Sequence, residues 1–301
     1  MAKSFNVRGY PTFVLVNSKT KTLHRWIGYE RDSFIESLKA GLEDPTTIKE
    51  KISRFETEPD VSTADALANY YDSQGEYSKA VKYYEDAVKL NSDASKNYAY
   101  DIFQCYYYGF RRDQFSLDKL INSAKNALSA NNLQQAQTCR LYYYMSNLIV
   151  KEKDNKDMLQ FIKDGHKYYT KIENEDFQTE KDNINILYII YIENKPKQGV
   201  KLKKESMPEG WQENAGDLNA FSWWCFEHKV NLDEAEKLAR KGAELAEPGN
   251  EKAMILDTVA EIVNLKGNPQ EAVKLTEQAI KESPNRKYYK DQLLRFKKLT
   301  D

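Results

Sequence analysis

Apolar residues recur every three or four positions along most of this chain, the spacing that places them on one face of an α-helix. The spacing predicts helices near residues 95–109, 116–130, 133–151, 156–171, 177–194 and 196–205. The first 44 residues follow another pattern: apolar runs at 7–17 and 23–29 predict two paired strands, and 31–42 predicts a helix after them. The chain is therefore predicted to be mainly α, with a short β-hairpin near its first residue.

A pattern with a period of 34 residues begins at Val61. With Val61 as position 1, apolar residues and one glycine occupy positions 4, 7, 8, 11, 15, 17, 20, 24 and 27: Ala64, Leu67, Ala68, Tyr71, Gly75, Tyr77, Ala80, Tyr84 and Ala87. Small residues at positions 8 and 20 allow two antiparallel helices to approach closely, and the glycine permits the turn between them. The pattern predicts one helix pair in each period.

Two further segments repeat this pattern. A frame that starts at Ala253 places Leu256, Val259, Ala260, Gly267, Ala272, Ala279 and Pro284 at positions 4, 7, 8, 15, 20, 27 and 32. A frame that starts at Gly216 places Ala235, Ala239, Ala243 and Pro248 at positions 20, 24, 28 and 33. Its position 8 is Trp223, which predicts a splayed or shifted helix pair. Ala235 and Ala272 are 37 residues apart, so about three extra residues are expected between these repeats, within 247–250.

These three frames closely resemble the tetratricopeptide repeat (TPR) pattern. The resemblance implies an α-solenoid of antiparallel helix pairs over residues 45–301, with its clearest repeats at 61–94, 216–249 and 253–286. The segment 286–299 is amphipathic, with lysine and arginine outside, and is expected to be a capping helix.

Residues 1–44 resemble a different family. The sequence Tyr10-Pro11-Thr12 enters an apolar strand, and a hairpin strand and a helix follow, as in the C-terminal half of a thioredoxin domain. The resemblance implies a cis peptide before Pro11, and a strand whose backbone can pair with an extended peptide. Only six residues precede Val7, so the half of that family's fold that carries the Cys-x-x-Cys motif is not in this sequence. A structural remnant and a working peptide-binding edge both fit these residues.

The same missing half leads to a prediction about self-association. Without it, Phe13, Leu15 and Ile27 are expected on an uncovered sheet, and exposed strand edges pair readily with another chain. The strands within residues 5–29 are therefore expected to mediate dimerisation or strand exchange.

Charge and hydropathy narrow the classes of partner. The 45 basic and 46 acidic residues leave a formal charge of −1, which argues against nucleic acid or an anionic membrane surface. No stretch approaches the roughly 20 apolar residues that a membrane span needs. The first residues lack the apolar core of a signal peptide, so the cytoplasm is the default compartment; a longer native N-terminus would leave the periplasm or secretion open.

The candidates for chemistry are few. Cys105, Cys139 and Cys225 each lie in an apolar helical context and are expected to be buried structural thiols. Cys225 and His228 are three residues apart on one predicted helix, so a nucleophile–base pair or two metal ligands can be imagined, but no further ligand is recognisable. We recognise no glycine-rich phosphate loop, and no cofactor is predicted.

The TPR resemblance implies a binding surface. Its positions 2, 5, 9, 12 and 13 face the concave side, and they include six polar residues that are candidates for peptide binding: Asp65, Asn69 and Asp72 in the first frame, and Asp257, Glu261 and Asn264 in the last. The Lys/Asn/Arg clamp with which some TPR domains bind a C-terminal carboxylate is absent. The acidic lining favours a basic or neutral partner, although a solvated polar face explains the same residues.

Two functions follow from these observations. The first is a non-catalytic scaffold of TPR type that binds a protein or peptide. The alternative is the C-terminal portion of a thioredoxin-like thiol–disulfide oxidoreductase whose redox cysteines lie upstream of this chain.

Overall fold

Helices make up most of the protein. The computed structural model describes residues 3–7, 9–29, 31–90, 98–130 and 133–300. Two compact units are present, residues 1–138 and residues 139–301, and the division falls inside one helix. The domain boundary near residue 44 stays a prediction.

The N-terminal hairpin consists of β1 (Thr12–Val16) and β2 (Thr22–Ile27), which pair antiparallel. Helix α1 (Arg31–Glu43) follows. It covers the face that carries Phe13 and Leu15: the rings of Phe13 and Phe34 lie 4.9 Å apart, and a Cβ on Gly41 would meet Leu15 Cδ2 at 2.7 Å. The expectation of an uncovered sheet is therefore wrong for Phe13 and Leu15, because α1 packs on them, whereas Ile27, the third residue of that expectation, is 48% exposed.

Within the described residues of the first unit, six more α-helices begin. They are α2 (Ile48–Thr57), α3 (Val61–Ser73), α4 (Tyr77–Leu90), α5 (Ala99–Phe110), α6 (Leu117–Ser129) and α7 (Gln135–Asn147), which crosses the division between the units. The sequence prediction missed α2. Its signal was a capping box: the Glu50 amide donates to Thr47 Oγ1, and the Thr47 amide donates to the Glu50 carboxylate at 2.7 Å.

Eight further α-helices follow in the part of the second unit that the structure describes. They are α8 (Lys156–Tyr169), α9 (Gln178–Tyr191), α10 (Pro196–Glu205), α11 (Ala215–His228), α12 (Leu232–Leu245), α13 (Asn250–Leu265), α14 (Pro269–Glu282) and α15 (Lys287–Lys297). The helices predicted from apolar spacing between residues 95 and 205 are all present, with ends that differ by up to four residues. Residues 95–97 of the first of them lie outside the described part of the chain.

The three repeat frames are helix pairs. In α3–α4, α11–α12 and α13–α14 the first helix ends at position 13, and the second helix spans positions 17 to 30. Ala68 and Ala80 of the first pair are fully buried, as are Ala260 and Ala272 of the last, because these small residues let the two helices approach. The chain therefore has the predicted fold, a TPR-like array of antiparallel helix pairs that follows a short β-hairpin.

Two details differ from the simplest frame. The three extra residues between the last two repeats form the first turn of α13, which begins at Asn250, three residues before position 1. In α11 the fully buried small residue is Ser222, one position before Trp223, whose side chain is half-buried. The small residue at the centre of α11 therefore stands one position earlier than in the other two pairs, and a splayed or shifted packing of this pair stays a prediction.

Candidate functional site

The cysteines are buried in helices. Cys105, Cys139 and Cys225 are each at most 1% exposed, and burial raises the pKa of all three thiols, that of Cys225 to about 12. The neighbouring His228 is also buried, and burial lowers its pKa to about 3. A protonated thiol is a poor nucleophile. The hydrogen-bond partner of His228 Nδ1 is the hydroxyl of Tyr191, at 2.8 Å. Cys225 and His228 therefore lack the features of an activated nucleophile.

Neither a metal site nor a membrane-spanning helix is found in the described part of the chain. Within the described ranges, no group of three or more histidine, cysteine, aspartate or glutamate residues has an arrangement that could hold a metal ion. No helix in that part of the chain combines the length and the apolar character needed to cross a membrane.

The predicted N-terminal site lies at the entry to the hairpin. Tyr10 is 85% exposed, and the Tyr10–Pro11 peptide is cis, as the thioredoxin resemblance implies. The Thr12 hydroxyl donates to the Gly9 carbonyl at 2.6 Å, so it holds its own turn. A peptide-binding role for Tyr10, Pro11 and Thr12 stays a prediction.

The other face of the hairpin rests on the first repeat. Arg25 of β2 is 1% exposed, and its Nε donates to Ser73 Oγ of α3 at 2.7 Å. Ser73 is position 13 of the first frame, one of the positions expected on the binding side. The hairpin therefore covers part of the surface that the first repeat would offer to a partner.

The polar residues of α3 make contacts within the first unit. Tyr84 donates to the side chain of Asn69 at 3.2 Å, and Asn69 donates to the backbone carbonyl of Asp65 at 2.9 Å. The thiol of Cys105 donates to the carboxylate of Asp72 at 3.7 Å. Burial raises the pKa of Asp72 to about 6, against the lowering effect of that thiol. These contacts fix the side chains in place, and their role in peptide binding stays a prediction.

The polar residues of α13 meet the capping helix. Gln292 of α15 donates to the carboxylates of Asp257 and Glu261, and Arg295 of α15 forms an ion pair with Glu261. Asp257 is 8% exposed and Glu261 is 6% exposed, whereas Asn264, at the end of α13, is half-buried. The capping helix therefore occupies the Glu261 side of the predicted surface and leaves Asp257 at its edge.

A cavity of about 460 Å³ opens beside Asp257. It lies between α11, α13 and the start of α15, and the following side chains line it: Asn219, Ala220, Trp223, Met254, Asp257, Thr258, Arg286, Tyr288 and Tyr289. We call this cavity the α11–α13–α15 groove. Its apolar wall is partly open, since Met254 is 44% exposed and Tyr288 is 50% exposed.

Two hydrogen-bond acceptors lie in this groove. Asn219 is 8% exposed, and its Oδ1 has no hydrogen-bond partner among the residues that the structure describes. Asp257 is the second acceptor: burial raises its pKa to about 6, partly offset by the Gln292 amide, while the Glu261 carboxylate adds to the rise. A buried acceptor without a partner is costly, and Asn219 Oδ1 is such an acceptor on a side chain that lines the groove.

A larger cavity of about 600 Å³ lies elsewhere in the second unit. Lys197, Lys201, Lys204 and Lys229 are among the residues that line it. Lys204 is already paired with Glu234 at 2.6 Å. No buried polar atom that lacks a partner lines this cavity within the described ranges, so its size alone does not indicate a site.

Most of the groove was missed from the sequence. Asp257 was a predicted site residue, whereas Asn219 and Arg286 were not singled out. Two sequence signals were nevertheless present: the bulky Trp223 where a small residue is usual, and the tandem Tyr288–Tyr289 in the capping helix. Trp223 and Tyr288 line the groove as partly exposed side chains, whereas Tyr289 lines it from the buried core.

Comparison with known proteins gives fold-level likeness only. No protein-family model matches the chain, and no curated protein matches it. Among solved structures, the crystal structure of YrrB, described as a TPR protein with an unusual peptide-binding site, is 15% identical; the match covers 82% of this chain and 97% of that one, with a TM-score of 0.35.

Two further solved structures are similar. The TPR2AB domain of yeast Sti1, solved with pHSP90, is 13% identical over 78% of this chain and 97% of that chain, with a TM-score of 0.31. A chain of the Naa15/Naa10 complex bound to HypK-THB is 15% identical over 88% of this chain and 37% of that one, with a TM-score of 0.33. The helix pairs described above, rather than these loose superpositions, identify the fold.

Proposed function

We propose that this chain is a non-catalytic scaffold of TPR type that binds a protein or peptide segment in the α11–α13–α15 groove. The observation that carries the proposal is the combination of open apolar side chains with a buried acceptor, Asn219 Oδ1, that has no partner in the described part of the chain. A closed helix seam would have neither feature.

The size and lining of the groove fit a peptide side chain. A volume of about 460 Å³ accommodates one or two side chains, and the groove is framed by α11 and α13, which pack on each other, and by α15, which donates hydrogen bonds to α13 through Gln292. Trp223 and Tyr288 supply large contact areas with few rotatable bonds, so their contacts cost little conformational entropy on binding. A preformed wall of this kind suits recognition of an extended or helical segment.

The alternative function would need a nucleophile from outside this chain. Thiol–disulfide exchange proceeds through a thiolate, and burial raises the pKa of each of the three thiols here. We therefore propose the binding function in preference, and we assign the segment that resembles half of a thioredoxin domain to covering α3.

The proposal is tested with phage-displayed random 12-residue peptides panned on the immobilised full chain. Peptides that are enriched are synthesised with a fluorescent label, and their Kd values are measured by fluorescence anisotropy. Met254→Ala should weaken binding about fivefold or more, the effect of removing a contact worth about 1 kcal/mol.

Leu245→Ala is the matched control. Leu245 is an aliphatic residue of similar exposure, 47%, and it does not line the groove. Its replacement should leave Kd unchanged. If no peptide is enriched, or if the enriched peptides bind the Met254→Ala variant as tightly as the wild type, the groove is not the binding site.

A further inference from the structure

We infer that the α11–α13–α15 groove is selective for an arginine side chain of the bound peptide, which it would hold between aromatic walls and two acceptors. This inference rests on the proposed function and adds the chemical class of the residue that is recognised. Four features of the groove lead to it.

The first feature is the pair of acceptors. Asn219 Oδ1 is buried and has no partner within the described ranges, and the Asp257 carboxylate lines the same cavity. A guanidinium group carries five N–H donors in a planar fork and no acceptor, so one such group can satisfy two separate oxygens. An ammonium group is a point charge that satisfies them less completely.

The second feature is the wall. Trp223 and Tyr288 present aromatic rings, and Met254 presents a flexible aliphatic chain. Cations are attracted to aromatic faces, most strongly to that of tryptophan, and the aliphatic stem of arginine packs on apolar side chains while its head reaches polar groups. The wall therefore suits both parts of an arginine side chain.

The third feature is that this side of α13 already binds a guanidinium. Arg295 of α15 forms an ion pair with Glu261, one helical turn from Asp257. Gln292 also donates to both carboxylates from α15. Asp257 is the member of this pair that lines the cavity, so it is the carboxylate that a ligand can reach.

The fourth feature is the balance of charge around Asp257. The groups that face it are Glu261 on its own helix, and Tyr288, Gln292 and Arg295 on α15. Arg295 is engaged by Glu261, and the guanidinium of Arg286 at the rim lies over the Tyr289 ring at 5.9 Å. Burial raises the pKa of Asp257 to about 6, so a bound cation would lower that pKa and binding should weaken in acid.

The test uses the peptides enriched by panning on the full chain. We expect arginine at one fixed position of these peptides. Replacement of that arginine by norleucine should raise Kd at least tenfold, and replacement by lysine should have a smaller effect. With the Asp257→Asn variant, which keeps the shape of the side chain, the arginine and norleucine peptides should differ by no more than about twofold.

A pH series adds a readout that a purely structural role would not change. With the wild type, the arginine peptide should bind several-fold more weakly at pH 5.0 than at pH 7.5, because Asp257 is protonated in the free protein at the lower pH. The Asp257→Asn variant should lack this dependence. Far-UV circular dichroism and urea midpoints establish that the variant is folded.

The outcomes separate the two proposals. Enriched peptides that depend on Met254 but carry no arginine, or that bind equally well with norleucine, overturn the arginine inference and leave the proposed function in place. An absence of enriched peptides overturns both. A tenfold norleucine effect that persists in Asp257→Asn assigns the recognition to other groups and also overturns the inference.

Discussion

His228 should make the second unit less stable in mild acid. The side chain is 6% exposed, its Nδ1 lies 2.8 Å from the Tyr191 hydroxyl, and its ring centroid lies 4.6 Å from that of Trp224. Burial lowers its pKa from 6.5 to about 3, and the positive charges of Lys153 and Lys203 act in the same direction. The folded protein therefore keeps this imidazole neutral where an unfolded chain would protonate it.

The direction and the magnitude of this effect of pH on stability follow from the two pKa values of His228. Between pH 6.5 and about 3 the unfolded state binds more protons than the folded state, so stability contributed by the neutral ring is present above pH 6.5 and is lost as pH falls. One pH unit corresponds to about 1.4 kcal/mol, so at pH 5.0 the loss is about 2 kcal/mol. Asp257 acts in the opposite sense: because its pKa is raised to about 6, its protonation in the folded state recovers about 1 kcal/mol of stability as pH falls from 7.5 to 5.0.

The histidine contribution is isolated with variants. Free energies of unfolding would be measured from urea titrations followed by circular dichroism at pH 7.5, 6.0 and 5.0. The difference between wild type and His228→Gln should change by about 2 kcal/mol in favour of the variant from pH 7.5 to pH 5.0, because glutamine does not titrate. Asp257 is present in both proteins, so its effect cancels from this difference.

Tyr191→Phe is the matched control. It removes the hydroxyl that contacts His228 and keeps the buried imidazole. This variant should be less stable than the wild type by about 1 kcal/mol and should keep the wild-type dependence on pH. The difference in free energy of unfolding between His228→Gln and the wild type could instead stay constant across the three pH values. That result would refute the reasoning, because the fold would then not hold the ring neutral.

Three further predictions concern stability and assembly. Gln292→Leu should destabilise the second unit by about 2 kcal/mol in urea titrations, because two buried carboxylates of α13 lose a donor that they share, whereas exposed Lys290→Ala should have no effect; equal effects would contradict the role of Gln292. Gly199→Ala should cost about 1–3 kcal/mol, since its Cβ would clash with Ile190 Cγ1, and adding Ile190→Ala should recover part of the loss; strict additivity would argue against this contact. Light scattering should show a concentration-dependent dimer that Val14→Lys in β1 weakens, and a constant monomeric mass would count against pairing at this edge.

The repeat frames show what local sequence can establish. Alanines at positions 8 and 20 and a glycine between two helices act through contacts that are close in sequence, so helix lengths and pairings follow from the chain order. Predicting α2 required attention to the capping box at Thr47 and Glu50, which is also a local signal. The hairpin was likewise readable from two apolar runs.

The site depended on contacts between residues far apart in the chain. The sequence determined the mainly helical repeat fold and made Asp257 a candidate, because both follow from a short period. Only the tertiary structure decided that α15 donates to Asp257 and Glu261, that Trp223 lines a cavity, and that Asn219 Oδ1 remains without a partner in the described part of the chain. The physical reason is that burial and hydrogen-bond satisfaction are properties of neighbours brought together by folding, and a helical period specifies which face of a helix is apolar but not which group will cover it.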